Sequence, residues 1–418
     1  MKAEIISIGS ELTSGKNLDT NCQWLSIQLA AIGIPVGWHT TIADDFDANL
    51  QAFSIASQRA KLVIATGGLG PTQDDLTREV LAKLVSHPLE FHQPSWEIIQ
   101  EMFAKRNRVC PERNKVQAFF PQGAIPIPNN AGTAPGVWMR VGDCHIAALP
   151  GVPREMKSMV TEWLKSKLVE IGLAEGVLIQ RKINTFGLGE SAIEEKLFDL
   201  TRRGNDPEVG ITASDAVISL RILAKGENEA AALKKIQPVE AIIRDRLGSL
   251  VFSEEEQELQ DVVHLLLQNA GKTLATAESI TGGLLAARIT KVAGASAQYL
   301  GGFVTYTNDV KKSALGVSAD LLEKYGPCSG PVTLAMAQGC RERTGADFAL
   351  ATTGVAGPGD LSPDLPQGKV FVALAWKGGT TLETNQWFGN RLEVQSRTAK
   401  MALNLLRLHL LKESYNGC

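Results

Sequence analysis

One stretch limits what this chain can become more than any other. Residues 276–312 read TAESITGGLLAARITKVAGASAQYLGGFVTYTNDVKK. The short run Thr273–Ala277 leading into it suits a buried strand. The chain must then turn at Glu278-Ser279-Ile280-Thr281-Gly282-Gly283, because Leu284, Leu285, Ile289 and Val292 follow at helical spacing. A hydroxyl at a strand-to-helix turn sits near the positive end of the helix. Gly282 and Gly283 let the backbone, or a ligand, approach closely. A second apolar run, Gly302–Tyr306, ends in a tyrosine, and Lys311 opens another helical pattern.

A serine, a tyrosine and a lysine gathered at strand ends can attack a carbonyl. Serine needs a base, and a lysine serves if desolvation or a neighbouring positive charge lowers its pKa. Ser-Lys pairs are a known variant of the serine triad. The same residues also fit a structural reading: Ser279 as an N-cap, Tyr306 as a core ring with a wet end, Lys311 as a solvated charge.

Bulk properties narrow the class. The chain has 418 residues, enough for two to four domains, with 44% hydrophobic and 21% charged residues, as in ordinary globular proteins. A net charge of −3 and a pI near 6.1 argue against direct nucleic-acid binding. No apolar run is long enough to span a membrane, and the N-terminus becomes a strand without a basic leader, so a cytoplasmic location is expected. Cysteines 22, 110, 144, 328, 340 and 418 form no C-x-x-C pair and read as free or buried thiols.

The first part alternates strand and helix patterns. Ala3–Ile8, Pro35–Thr41 and Leu62–Ala65 read as strands. Asn17–Ile32 reads as a helix with Leu18, Cys22, Leu25, Leu29 and Ile32 on one face, and Phe46–Ala60 as the next. Such alternation predicts parallel pairing, with ligands beyond the carboxyl ends of the strands. Two loops fall there: one carries Glu11, the other is TGGLGPTQDDLT, residues 66–77. Gly67, Gly68 and Gly70 ahead of a helix start suit a phosphate. Asp74 and Asp75 could hold Mg²⁺ or a similar hard cation that bridges phosphate oxygens. The alternative is a tight turn whose aspartates cap the next helix.

AESITGG, GASAQYLGGFVTYTNDVK and TTGVAGP, in that order, resemble the C-terminal domain of the competence/damage-inducible CinA family. That resemblance implies hydrolysis of the carboxamide of nicotinamide mononucleotide (NMN) to a carboxylate and ammonia, with no metal. It places Ser279, Tyr306, Lys311, Thr353 and Arg391 in the site: Ser279 as nucleophile, Lys311 as base, Tyr306 orienting or relaying the proton. Ser296 is a rival nucleophile or a substrate contact. Arg391, in an F-x-G-x-R-like element, would take the NMN phosphate. N–H groups near Gly282 and Gly354 would stabilise an oxyanion, and Gly283 would be a substrate contact.

TGGLGPTQDDLT resembles the molybdopterin-binding fold of molybdenum-cofactor synthesis proteins. The segments around Asn114-Lys115-Val116-Gln117-Ala118, Asn130–Gly136 and LPGVPRE are similar to the N-terminal CinA domain. This implies a metal-dependent (Mg, Mn or Co) ADP-ribose pyrophosphatase, although the chain reads GSELTSG where the family more often has GTELLLG. Arg154 and Glu155 are either ligand contacts or a buried pair. TFGLGESAIEEKL and VGITASDAVISLRILAKG resemble the family's small α+β middle domain, a scaffold without chemistry.

The expected architecture is therefore α/β: a molybdopterin-binding-like parallel-sheet domain at 1–170, a small α+β domain at 171–252, and an α/β deamidase domain at 253–418, opening with a helix over Glu254–Ala270 capped by Ser253 and Glu256. The expected partners are NMN and ADP-ribose, and the family suggests a homodimer. Two other readings remain: a non-enzymatic pterin or nucleotide binder, and a DNA-uptake factor, which the lack of basic clusters disfavours as a direct contact.

Overall fold

The computed structural model describes residues 2–174, 176–254 and 256–416, with side chains through 413; Cys418 lies outside the described residues. It divides into two compact units, Met1–Ile179 with Leu223–Lys235, and Gln180–Ile222 with Ile236–Cys418.

The first unit is built on β1 (Ala3–Ile8), β2 (Val36–Ile42), β3 (Leu62–Thr66), the short β4 (Leu89–Phe91) and β5 (Phe119–Pro121), then β6 (Ile125–Ile127), β7 (Gly136–Val141) and β8 (Cys144–Leu149). The sheet order is β2-β1-β3-β8-β7-β6, parallel from β2 to β8 and antiparallel at β7 and β6. The parallel expectation thus holds for the half that carries the loops, and a hairpin edge completes the sheet. Every residue of β3 is buried, which is why LVIAT is apolar without alternation. Edge strand β2 alternates instead. Apolar clusters cover both faces, one centred on Leu25, Leu29 and Leu164, the other on Phe53, Leu81 and Phe120. Each such fully buried side chain contributes about 1.5–3 kcal/mol. The helix expected over Asn17–Ile32 is shorter than its pattern predicts. It runs Thr20–Ala30 behind the Asp19 cap, so Leu18 precedes it and is 90% exposed.

A four-stranded sheet has the order β10-β11-β9-β12, from β9 (Val177–Phe186), β10 (Glu208–Ser214), β11 (Val217–Gly226) and β12 (Val251–Glu254). β10 has no clear apolar alternation and escapes sequence reading. It forms a hairpin with β11 through Asp215-Ala216, both left-handed at φ 48° and 63°.

A five-stranded sheet has the order β14-β13-β15-β16-β17, from β13 (Leu274–Glu278), β14 (Tyr299–Val304), β15 (Phe348–Gly354), β16 (Lys369–Trp376) and β17 (Gly379–Gln386). The first three strands are parallel and the last two antiparallel. The closing helix Arg391–Asn416 covers one face and the helix Gly330–Thr344 the other. The predicted helix over Glu254–Ala270 is corrected. Val251–Glu254 is strand, and the helix begins at Leu259 with Glu258 and Asp261 as its capping box. The Ser253 hydroxyl instead donates to the Gln257 carbonyl at 2.7 Å.

Candidate active site

Parallel β13, β14 and β15 bring their carboxyl ends to one edge, and the chemistry collects there. Directly after β13, Ser279 is held by its N–H to the Thr352 carbonyl at 2.9 Å. Glu278 shapes the turn that follows. Its buried carboxylate accepts from the N–H groups of Gly283 and Leu285, both at 2.9 Å, and of Ala286 at 2.8 Å. These are orphan donors at the start of helix Leu284–Thr290, so an acidic side chain caps it from the strand. Gly282 and Gly283, at φ 60° and 101°, make the reversal possible.

Lys311 comes from helix Asn308–Leu315, which Thr307 caps. It is 1% exposed, which removes the solvated-charge reading. Its Nζ donates to the Thr305 carbonyl at 3.0 Å and to Ser279 Oγ at 3.2 Å. Burial pushes the Lys311 amine below its ordinary value of 10.5, with the Cys328 thiol acting weakly the other way. A lysine so placed can be neutral and receive a proton.

Ser279 and Lys311 open onto a cavity of about 550 Å³ whose walls include Tyr306, Cys328, Gly354 and Arg391. Tyr306 is 59% exposed, so it is no core ring. Its hydroxyl accepts from Arg391 Nη2 at 2.8 Å, while Arg391 Nη1 donates to the Gly357 carbonyl at 2.5 Å. Tyr306 therefore buttresses the arginine, and among the described hydrogen bonds none joins it to Ser279 or Lys311.

Four expected contacts are not brought to the cavity. Thr353 is fully buried with its hydroxyl 2.6 Å from that of Thr333. Ser296 is exposed in the turn before β14, at the amino edge of the sheet, opposite Ser279. Gly282 and Gly283 lie behind the wall, and the Gly283 N–H is spent on Glu278. Sequence reading missed Glu278 and Cys328, and also Gln395, whose Nε2 donates to the Ile280 carbonyl at 2.9 Å. The signal for Glu278 was available: an acid just before a helix start.

In the first unit, Glu11 lies on a cavity of about 430 Å³ with Lys16, Asn17, Thr66 and Gly151. Gly67, Gly68, Gly70, Asp74 and Asp75 do not line it. The glycine loop is braced from behind by buried Arg78, whose Nη2 donates to the Leu69 carbonyl at 2.5 Å. Burial brings this guanidinium down to about 10. Asp75 Oδ2 accepts from the Thr72 N–H at 2.9 Å and its hydroxyl at 2.5 Å, the turn-capping role. Asp74 is exposed and held below the usual carboxylate range by Thr72. Among the described residues no group of three or more His, Cys, Asp or Glu side chains could hold a metal. The expected cation would be held by a partial shell from Asp74 and Asp75, completed by substrate phosphates. Glu155 accepts from Asn129 Nδ2 at 2.7 Å, which favours the structural reading for it, while Arg154 is exposed.

Comparison with known proteins finds three successive domain matches along the chain. The CinA C-terminal domain matches residues 256–410, the probable molybdopterin binding domain residues 4–169, and the damage-inducible protein CinA KH domain residues 180–253. A CinA-like protein of Kosmotoga olearia is 39% identical over 411 residues, covering 98% of this chain and 99% of its own. One from Dictyoglomus thermophilum is also 39% identical, covering 98% and 100%. A crystal structure of CinA, of unknown function, from Thermoplasma acidophilum is 33% identical, covers 40% of this chain and 96% of its own, and superposes with a TM-score of 0.37. No helix among the described residues is long and apolar enough to cross a membrane. Shared along nearly its whole length with such relatives, and carrying all three domain signatures in order, this chain belongs to the CinA family.

Proposed function

We propose that the C-terminal domain hydrolyses the carboxamide of nicotinamide mononucleotide to nicotinate mononucleotide and ammonia. The observation that carries this reading is the 3.2 Å contact between Lys311 Nζ and Ser279 Oγ at the floor of a cavity rimmed by Arg391. Neutral Lys311 takes the Ser279 proton as Oγ bonds to the carboxamide carbon. The tetrahedral intermediate collapses by breaking the C–N bond, and Lys311 returns the proton to the departing nitrogen, which leaves as ammonia. Water then adds to the acyl ester, giving its proton to Lys311, and Ser279 leaves with that proton restored. Every step is acid–base and nucleophilic chemistry, and these residues supply both. Incubation with NMN, with ammonia and nicotinate mononucleotide quantified, tests it.

Arg391, already oriented by Tyr306 and Gly357, presents its fork to the phosphate. Arg391→Ala is expected to raise KM for NMN by about ten- to a hundredfold, with kcat within about threefold, because the lost contact is equal in ground and transition states. The dephosphorylated nucleoside should be indifferent to the change. Equal losses on both substrates would assign Arg391 another role.

A second activity is supported more narrowly. The glycine loop with Asp74 and Asp75, beside the Glu11 cavity, fits cleavage of ADP-ribose with a divalent cation brought in on the substrate's phosphates. When bound, the cation would supply charge neutralisation at the pyrophosphate. Asp75→Ala is expected to abolish metal-dependent AMP formation, as read by chromatography of the products. Wild-type protein that forms no AMP with Mg²⁺, Mn²⁺ or Co²⁺ would leave this domain a nucleotide or pterin binder.

A further inference from the structure

The hairpin turn between β10 and β11 is conformationally costly and ends on a charge. Asp215 and Ala216 both adopt left-handed backbone that Asn-Gly pairs ordinarily fill. Such an outlier persists where the surroundings hold it, and it invites a functional explanation. Here the surroundings are helices of the C-terminal domain. Asp215 Oδ2 accepts from Ser396 Oγ at 2.5 Å and Lys400 Nζ at 2.7 Å, and the Asp215 carbonyl takes a second bond from Lys400 at 2.8 Å. Arg397 approaches Oδ1 at 3.6 Å and Arg288 approaches Oδ2 at 3.9 Å. Arg288 Nη2 also donates to Ser396 Oγ at 2.7 Å. Ala216 and Val217 pack on the apolar cluster beneath the closing helix.

These partners belong to two helices, one that follows the serine turn and one that carries Arg391 at its first residue. Arg288 lies on Leu284–Thr290, the helix that starts just after Ser279. Ser396, Arg397 and Lys400 lie on the closing helix, about one and a half to two and a half turns beyond Arg391. Between them Gln395 reaches back to the Ile280 carbonyl in the serine turn. Arg288 has a second acid in Glu258 at 3.4 Å and Arg397 has Glu393 at 3.1 Å, whereas Lys400 pairs with Asp215 at 2.7 Å.

We propose that Asp215 is a positioning residue for the C-terminal site: a carboxylate from the KH segment that locks the closing helix to the serine helix and so sets where Arg391 meets the substrate phosphate. This rests on the deamidase reading. It gives the KH segment a part in the reaction, in place of the passive scaffold expected for it. Without the Asp215 charge, Lys400, Arg397 and Arg288 repel across the helix pair, and the first turn of the closing helix shifts. A displacement on the scale of 1 Å is enough to spoil a bidentate contact.

The test compares full-length wild type with Asp215→Asn, Asp215→Ala and Asp215→Glu on NMN and on its dephosphorylated nucleoside. Asp215→Asn and Asp215→Ala are expected to raise KM for NMN about tenfold, with kcat and the nucleoside's kcat/KM within about threefold. Asp215→Glu, which keeps the charge, should recover much of the loss. An unchanged KM for NMN in both variants, or equal losses on the two substrates with a lowered melting temperature, overturns the proposal. Wild type that binds NMN without releasing ammonia would end the deamidase reading alone. The same tenfold loss, then read as Kd by calorimetry, would still support the positioning role.

Discussion

Replacing Lys311 by alanine is expected to lower kcat for ammonia release from NMN by a factor of about a thousand or more, since removing the base of a nucleophile–base pair typically removes most of the acceleration. Ser279→Ala should fall as far, and the double variant hardly further, because the two act as one unit. The pH profile carries the same signature. Burial favours neutral Lys311, so the wild-type rate should rise with pH and level off below 10.5, the ordinary lysine value. The stability sign is the matching one. The unfolded chain binds more protons than the folded one between the depressed folded pKa and the unfolded value, so stability gains with pH across that window. Lys311→Met should lose that gain and be more stable than wild type below it. A Lys311→Ala enzyme with wild-type turnover would remove lysine from the chemistry.

Glu278→Ala should be the most destabilising single change near the site. Three backbone N–H groups lose their acceptor, in a place buried to 1% exposure. Each unsatisfied donor costs about 1–3 kcal/mol, and some water entry would soften the sum, so a loss of about 3 kcal/mol or more is expected. The serine turn should loosen with it, and ammonia release should fall even at temperatures where the fold survives. Thermal melting followed by circular dichroism, with activity measured well below the midpoint, checks both. An unchanged midpoint would mean that the helix start is held by something other than this carboxylate. Gln, with one acceptor and one misplaced donor, should fall between.

Much of this architecture is legible in the sequence because burial on both faces leaves a strong mark. Runs such as LVIAT and FALAT can hardly be anything but central strands, and the turns at their ends follow from Gly-rich spacing. The Ser279–Lys311 encounter was legible for the same reason: both residues follow the carboxyl ends of neighbouring parallel strands. What failed was side-chain direction. Thr353 sits one residue before Gly354, yet strand alternation turns it into the sheet's packing against Thr333 while the glycine faces the cavity. Ser296 belongs to the same motif as Lys311, but β14 lies between them and carries it to the far edge. Asp75 allows two readings from sequence, cation ligand or turn cap, and its hydrogen bonds to Thr72 fit the turn cap. Leu18 matched a helical face by spacing alone, and the Asp19 cap excluded it. The Asp215 cluster was invisible because its members come from three segments far apart in the chain.

The most direct measurement is ammonia release from NMN by wild type and Ser279→Ala side by side, with product identity confirmed by mass spectrometry. Equimolar ammonia and nicotinate mononucleotide from the wild type, and none above background from the variant, is the predicted result. A variant that keeps the wild-type rate would contradict the claim that this hydroxyl, deprotonated by a buried lysine, opens the carboxamide.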